Sequence, residues 1–319
     1  MPKLTMMFSG VLSAAILAIP STAAAQSGVV VRQHTTFNAA KITSADLQQT
    51  IAILGADRAK TVTTGKTKVL IISVDASGTE ITRLDQDQII RLDDKKKTYT
   101  VRSLAETRAE LAKRQKDAET SAIEGEKHDD QRYYAVVDEA RRTGEKQVIN
   151  GFATEQVLIR ITVYSENTKT GDKTVAYYLT AESWYDPTQG AAARISAAYR
   201  AAEHQALGFD PVMAANPYAK WLTNVDVEMT KITGYPIRSS IIFETAAKAA
   251  APEAKAEERP PTSLSGAIGG MFAKKKSEPA PPSPHGGTIL FTATTEVSAI
   301  SMTTPAAAEF EIPVGYVKK

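Results

Sequence analysis

The sequence predicts an α+β domain built on one large, curved antiparallel sheet, half-barrel-like and packed with a few helices. Short apolar runs that alternate with polar residues recur along the chain, as in strands with one buried face. Turn signals such as Asn150-Gly151 separate these runs at hairpin spacing. Roughly ten or more strands are expected beside only a few helical segments, which favours antiparallel pairing within one domain.

The first strands follow one another closely in the sequence. Residues 28–37 open with three valines and predict a strand. In residues 43–55 a capping box precedes Leu47, Ile51 and Leu54 at helical spacing, which predicts a short helix. Further strands are predicted at 69–74, 81–85, 89–93 and 98–101, joined as a meander.

The second half of the chain mixes helices with longer strands. Residues 103–127 are highly charged and predict a surface helix, and residues 188–207 predict a second helix that ends at Gly208. Asn150-Gly151 leads into a strand from Phe152 to Tyr164. The remaining predicted elements are a short helix at 212–223 and strands at 175–184, 225–232, 237–244, 288–294, 296–302 and 310–316.

The N-terminal segment has the layout of a cleavable bacterial signal peptide. Lys3 supplies a positive charge, a mostly apolar stretch extends from Leu4 to Ile19, and Ala23-Ala24-Ala25 forms a small-residue cleavage site. The apolar stretch is shorter than the roughly 20 residues of a membrane-spanning helix, which disfavours a retained anchor. We therefore expect residues 1–25 to be removed after about Ala25. The remaining protein is expected to be soluble in the periplasm, with no stable membrane anchor.

Composition excludes several classes of function. The chain has no cysteine, which excludes disulfides, thiolate metal sites and attachment of a lipid to an N-terminal cysteine. With 38 basic and 36 acidic residues, the formal charge is +2. Such a balance provides no long-range attraction for nucleic acid, so no nucleic-acid partner is expected.

Residues 246–287 differ in composition from the rest of the chain. They are rich in Ala, Pro, Lys and Glu and hold few large apolar side chains, so burial cannot offset the entropy of ordering them. We expect a disordered insertion there. The predicted organisation is thus one domain formed by residues 26–245 and 288–319, interrupted by this insertion.

No motif in the sequence identifies catalytic residues, a metal site or a cofactor. The four histidines lack metal-binding spacing, and Gly65-Lys66-Thr67 lacks the upstream glycine and the following helix of a phosphate-binding loop. Asp85, Asp87, Asp93 and Asp94 do not follow the calcium-loop pattern. An enzyme is therefore disfavoured, although paired carboxylates from distant positions leave an envelope hydrolase open.

Two elements supply candidate contacts for an apolar ligand. Along the strand after Asn150-Gly151, alternate positions are aliphatic, which predicts one apolar face. The helix at 188–207 carries Ile195 and Tyr199 on its predicted apolar side. The candidate ligand-binding residues are therefore Val157, Ile159, Ile161, Val163, Ile195 and Tyr199.

Residues 264–272 form an apolar island inside the predicted insertion, and a lysine triplet follows. One interpretation is a contact with a membrane surface or a partner, made by Ile268, Met271, Phe272, Lys274, Lys275 and Lys276. The other interpretation is a mildly adhesive patch in a flexible linker. We favour the second, because one short segment anchors weakly and its glycines oppose a stable helix.

Four short phrases resemble the DUF4412-type exported bacterial proteins of unknown function. They are residues 89–99, 149–152 with the strand that follows, 234–238 and 310–316. That family is similar in outline to the lipoprotein-carrier (LolA-like) fold, in which a curved antiparallel sheet wraps around helices. The resemblance implies an apolar concavity able to hold an acyl chain, and it supplies no catalytic residue. This chain departs from the pattern at 103–127 and 246–287, and both segments could cover such a concavity.

Three hypotheses about function follow. The first is a periplasmic binding or carrier module whose ligand is a lipid or an acylated protein. The second is a non-catalytic structural or assembly adaptor of the envelope that acts by contacting a protein partner. An envelope hydrolase is the third and the least supported.

Overall fold

A computed structural model describes residues 27–39, 43–69, 72–124, 130–208, 232–247 and 283–319. Within these residues the chain forms a large, open, curved antiparallel sheet with two helices, which confirms the predicted fold class. Several expectations lie wholly or almost wholly outside the described residues: the signal peptide, the insertion, the helix at 212–223 and the strand at 225–232. They stay predictions, as does the division into a single interrupted domain.

Thirteen strands make up the sheet in the described part of the chain. They are β1 Gly28–Ala39, β2 Thr43–Leu54, β3 Arg58–Val69, β4 Ile72–Asp75, β5 Gly78–Arg83, β6 Gln88–Asp93, β7 Thr98–Ser103, β8 Gln131–Ile149, β9 Phe152–Asn167, β10 Lys173–Asp186, β11 Tyr235–Thr245, β12 Ile289–Ser301 and β13 Val317–Lys318. Their spatial order is β13-β7-β6-β5-β3-β2-β1-β12-β11-β10-β9-β8, and β4 pairs with β3 beside this path. The first strand thus lies mid-sheet and pairs with a strand near the end of the chain.

Two helices lie between strands, α1 Leu104–Glu124 and α2 Gly190–Leu207. Both agree with the sequence expectation. Leu104 at the start of α1 is buried with Ile89 and Leu207. Gly208 ends α2 with φ 82°, and its N–H donates to the carbonyl of His204 at 2.8 Å. Neither helix is long and apolar enough to cross a membrane, and no other helix of the described residues is.

Alternation along β1 separates the two faces of the sheet. Val29 and Val31 are buried in one cluster with Ala192 and Tyr199 of α2, and we call this side the inner face. Val30 packs on the opposite side with Phe310 near the C-terminus, and we call this side the outer face.

One corner of the sheet bends strongly. The Asn150 side-chain amide, at the turn between β8 and β9, donates to Glu296 Oε1 and to the carbonyl of Val297 on β12, both at 2.9 Å. In a flat sheet β9 and β12 would lie about 14 Å apart, because β10 and β11 separate them. The contact therefore requires a curved sheet, as the sequence predicts.

The C-terminal segment packs across the outer face, and Phe310 is fully buried there. Arg83, 3% exposed, donates two hydrogen bonds of 2.9 Å to Asp85, and it also bonds the carbonyl of Phe310 and the carboxylate of Glu311. The predicted strand at 310–316 is wrong, since the chain forms a short 3₁₀ turn and loop there. Pairing with the sheet is confined to β13, which runs parallel to β7.

The helix predicted at 43–55 is also wrong, because these residues form β2. Leu47 and Ile51 are four residues apart, a spacing that fits one face of a helix and one face of a strand equally well. Here β1 and β3 pair with β2 along its whole length, and Ile51 and Ile53 point to the inner face. Hydrogen bonding to both neighbours outweighs the local helical signal.

Other boundaries differ from the prediction as well. The strand predicted at 69–74 is split between β3 and β4, which pair at Val69 and Ile72. The strands predicted at 288–294 and 296–302 are one continuous strand, β12. The 19-residue β8 was not predicted over most of its length, because its exposed charged residues mask the alternation expected of a strand.

Candidate functional site

The four aliphatic residues predicted as ligand contacts on β9 are all buried. Val157, Ile159 and Ile161 are each 1% exposed, and Val163 is fully buried. They pack with residues of β10, β11 and β12 in one apolar cluster. The alternation read from the sequence therefore identifies the apolar face of β9, and the role of these residues in ligand binding stays a prediction.

The inner-face residues of β1, β12, β11, β10 and β9 form straight rows, because these five strands pair in a regular register over this stretch. Two adjacent rows contain only apolar side chains, and we call them the apolar rows. The first is Ala39, Phe291, Phe243, Leu179 and Ile161, and the second is Phe37, Ala293, Ile241, Ala181 and Ile159. Strands spaced about 4.8 Å apart make this patch about 19 Å wide.

The next inner-face row is polar, and we call it the hydroxyl row. It consists of Thr35, Thr295, Ser239 and Ser183, with Val157 at its β9 end. Thr35 and Thr295 share a hydrogen bond of 3.1 Å, and Ser183 Oγ donates to Ser239 Oγ at 3.0 Å. The inner face therefore changes from apolar to hydrogen-bonding within one step along each strand.

Five aromatic rings form a chain across the apolar end of this face. Successive ring centroids lie 6.0, 5.4, 5.2 and 6.3 Å apart from Phe37 through Phe291, Phe243 and Tyr177 to Tyr133. Sequence reasoning missed this feature, because each ring belongs to a different strand. The available signal was an aromatic residue near the same end of each of these strands.

Ile195 and Tyr199 lie in a different cluster from the four β9 residues. Both belong to α2 and pack with Val29, Ile53 and Ile237 of the sheet. The Tyr199 hydroxyl donates to Glu203 Oε1 at 2.9 Å, and burial raises the pKa of Tyr199. The predicted ligand-binding set is thus divided between the apolar rows and the neighbouring cluster that α2 covers.

The residues predicted to contact a membrane or a partner lie outside the described residues. They are Ile268, Met271, Phe272, Lys274, Lys275 and Lys276. Their role stays a prediction.

A buried carboxylate, which sequence reasoning did not single out, lies close to the predicted insertion. Glu244 on β11 is fully buried, and it accepts hydrogen bonds from Ser283 Oγ and from the His285 backbone N–H at 3.1 Å. His285 Nδ1 lies 2.7 Å from Glu244 Oε1, and the ring stacks on Tyr178 at 3.9 Å. These contacts hold Ser283 and His285 against the sheet. The Ser283 hydroxyl donates to the Glu244 carboxylate and not to the His285 ring. These residues therefore do not form a Ser-His-acid catalytic relay.

A shallow depression lies between α1 and strands β6 and β7, with a volume of about 40 Å³. Ile89, Arg91, Arg102 and Glu110 contribute to its lining, and none of the predicted ligand contacts does. Pockets for drug-sized ligands hold roughly 300–1,000 Å³, so this depression is too small for such a ligand. Among the described residues, no three His, Asp or Glu side chains are grouped to hold a metal ion.

Comparison with known proteins gives no relative. No family model matches the chain, and neither the curated proteins nor the solved structures include a match. The resemblance to the DUF4412-type proteins and to the lipoprotein-carrier fold therefore stays a prediction.

Proposed function

We propose that the protein is an exported periplasmic binding or carrier module for an apolar ligand, a lipid or an acylated protein. The observation that supports the proposal best is the pair of apolar rows on the inner face of a curved sheet. The rows contain ten side chains without a polar atom, and three of them, Phe37, Phe291 and Phe243, belong to the chain of aromatic rings. This is the kind of apolar environment that a hydrocarbon chain prefers. The resemblance to the lipoprotein-carrier fold agrees with this proposal.

The predicted contact residues have different places in this proposal. Ile159 and Ile161 belong to the apolar rows, and Val157 and Val163 adjoin them on the same face of β9. These four would touch the hydrocarbon part of the ligand. Ile195 and Tyr199 would lie at the edge of the site, in the apolar cluster between α2 and the sheet.

A pair of small-to-large substitutions tests whether the apolar rows hold a ligand. Ala181 is 2% exposed in the apolar rows, and Ala52 is 6% exposed in the cluster on the outer face. Ala181→Met should fill ligand space and weaken binding of a fluorescent fatty-acyl probe about tenfold, which corresponds to roughly 1.4 kcal/mol. Ala52→Met should leave the probe affinity unchanged, because it overpacks the opposite side.

Native mass spectrometry of the protein purified from periplasm supplies the second readout. The wild-type protein should carry lipid that organic solvent extracts, and Ala181→Met should carry less. A clean ligand-free mass, together with no binding of the acyl probe, would overturn the proposal.

Export is part of the proposal and has its own test. The mass of the purified protein should match a chain that begins at Gln26, and the protein should be recovered in the periplasmic fraction. Retention of residues 1–25 on the protein would contradict this part.

A specific observation also favours the adaptor as a second candidate. Strand β8 is 19 residues long and ends the sheet order, and within the described residues it pairs with β9 alone. Val136 is 41% exposed and Val148 73% exposed on this strand, and a long edge strand can accept a strand from a partner. If the adaptor is correct, Val136→Pro should abolish crosslinking to the envelope partner that wild type captures, and probe binding should persist.

A further inference from the structure

We infer that the ligand is an amphiphile whose polar end is uncharged and hydrogen-bonds to the hydroxyl row. The inference rests on the proposed function, because it concerns the same inner face. It adds the chemistry of the head group, which an apolar surface by itself does not specify.

The position of the hydroxyl row supports the inference first. It adjoins the apolar rows, so the distance from hydroxyl to hydrocarbon surface is one step of about 6.7 Å along each strand. Ser183 is 3% exposed, and its neighbours in register on the same face are Val157 and Ser239. Four adjacent strands thus place a hydroxyl at the same level, beside a surface that is otherwise apolar.

The hydrogen bonds within the row leave capacity for a ligand. Each hydroxyl has one donor and two acceptor sites, and each observed pair uses one donor and one acceptor. The Ser183–Ser239 pair therefore retains one donor and three acceptor sites, whereas the donor of Thr35 is used by Gln49 Oε1 at 3.5 Å. An amide or hydroxyl group of a ligand could use both a donor and an acceptor there, and an ester carbonyl could accept from the donor.

The absence of charge in these rows specifies an uncharged head group. None of the fifteen residues in the apolar rows and the hydroxyl row carries a charge. The corresponding rows of the outer face, on the same five strands, include Glu182 and Arg160. An ionised head group on the inner face would lose water without gaining a counter-ion from these rows, which is strongly unfavourable.

A matched pair of hydroxyls on the outer face separates ligand binding from a structural role. Ser240 follows Ser239 on β11, and Thr294 precedes Thr295 on β12. The hydroxyls of Ser240 and Thr294 lie 3.3 Å apart on the outer face of these two strands. The control variant Ser240→Ala/Thr294→Val removes a hydroxyl pair of the same kind from strands β11 and β12. The test variant Ser183→Ala/Ser239→Ala removes both hydroxyls of the pair in the hydroxyl row that retains a donor.

Three probes of equal chain length test the inference on the full chain: dodecane, laurate and monolaurin. Wild type should bind monolaurin about tenfold more tightly than dodecane, and laurate no more tightly than monolaurin. The test variant should lose most of the preference for monolaurin and keep its affinity for dodecane. The control variant should behave as wild type does.

The outcomes distinguish the inference from the proposed function. Equal affinity for dodecane and monolaurin, or tightest binding of laurate, would overturn the inference while leaving an apolar site in place. An unchanged preference in the test variant, or the same loss in the control variant, would also overturn it. Failure to bind any of the three probes would overturn the proposed function itself.

Discussion

Arg83 connects the outer face of the sheet to the C-terminal segment. Its guanidinium is almost fully buried and bonds Asp85, the carbonyl of Phe310 and the carboxylate of Glu311. Neither the sequence position of Arg83 nor its strand assignment indicates these partners, because Phe310 and Glu311 lie more than two hundred residues away. Because the guanidinium is buried, loss of one of these partners lowers the stability of the fold, since water does not replace it.

Substitution of Arg83 should therefore destabilise the fold. Arg83→Met is expected to lower the free energy of unfolding by about 3 kcal/mol, because carboxylate and carbonyl partners lose a buried donor. Arg91→Met serves as the control, since Arg91 pairs with Glu80 on the surface at 2.7 Å and is 58% exposed. Urea unfolding should show a change of no more than about 1 kcal/mol for the control. Equal losses in the two variants would contradict the assignment.

Asp85 should make stability depend on pH in the acid range. Hydrogen bonds from Arg83 hold the pKa of Asp85 below its usual range in the folded protein. A lowered folded-state pKa stabilises the protein above the unfolded pKa of about 3.9, and this contribution is lost as pH falls through the folded value.

Asp85→Asn removes this titration. The variant should be less stable than wild type at neutral pH, and the difference should shrink as pH falls from about 5 towards 2. Urea midpoints measured across this range provide the test. A difference that stays constant with pH would show that Asp85 does not contribute through its charge.

At the scale of elements, the pairing of β2 with β3 depends on Gly65, because the backbone there leaves no room for a side chain. Gly65 has φ +145°, and a Cβ there would lie 2.1 Å from the carbonyl oxygen of Asp46. The residue pairs with Leu47 in the register of the two strands. Any side chain at this position must displace the neighbouring strand.

Gly65→Ala should consequently destabilise the protein more than Gly144→Ala. Gly144 also has positive φ, at +87°, but no heavy atom lies within 4 Å of a Cβ built there. We expect about 1–2 kcal/mol from backbone strain at Gly144 and a larger loss at Gly65, where steric overlap adds to strain. Thermal unfolding of the two variants compares them. A smaller shift for Gly65→Ala would contradict the strand pairing.

Individual elements also show where local sequence patterns are sufficient. The Asn150-Gly151 turn with β9, α1 and α2 agree with the prediction, because Asn-Gly turns, charged helix formers and a C-terminal glycine act within a few residues. Residues 43–54 do not, because one spacing fits both a helix and a strand. Partners distant in sequence decide between the two structures.

At the scale of the whole molecule, the predicted insertion leaves and re-enters the sheet at adjacent points. The Thr245 N–H donates to the carbonyl of Thr288 at 2.9 Å, and Glu244 fastens Ser283 and His285 to the same place. Replacement of residues 248–282 by a short Gly-Ser linker is therefore expected to keep these contacts.

Such a replacement separates the two leading functional candidates. A carrier should keep its affinity for the acyl probe, because the apolar rows remain. An adaptor that uses the insertion should lose its partner in a crosslinking pull-down. Deletion of 246–287 is the matched comparison, and it should be less stable, because it also removes the partners of the buried Glu244. Loss of probe binding with the linker variant would contradict a site confined to the apolar rows.

The sequence by itself determined the class of the fold, the apolar face of β9 and both helices. These features follow from periodicity and turn chemistry, which act over a few residues. Tertiary structure decided that residues 43–54 are a strand. It also aligned Phe37, Phe291, Phe243 and Tyr177, placed hydroxyls from four strands in one row, and brought His285 to Glu244 and Glu311 to Arg83. The reason is physical, because strand order and register are set by pairing between distant segments.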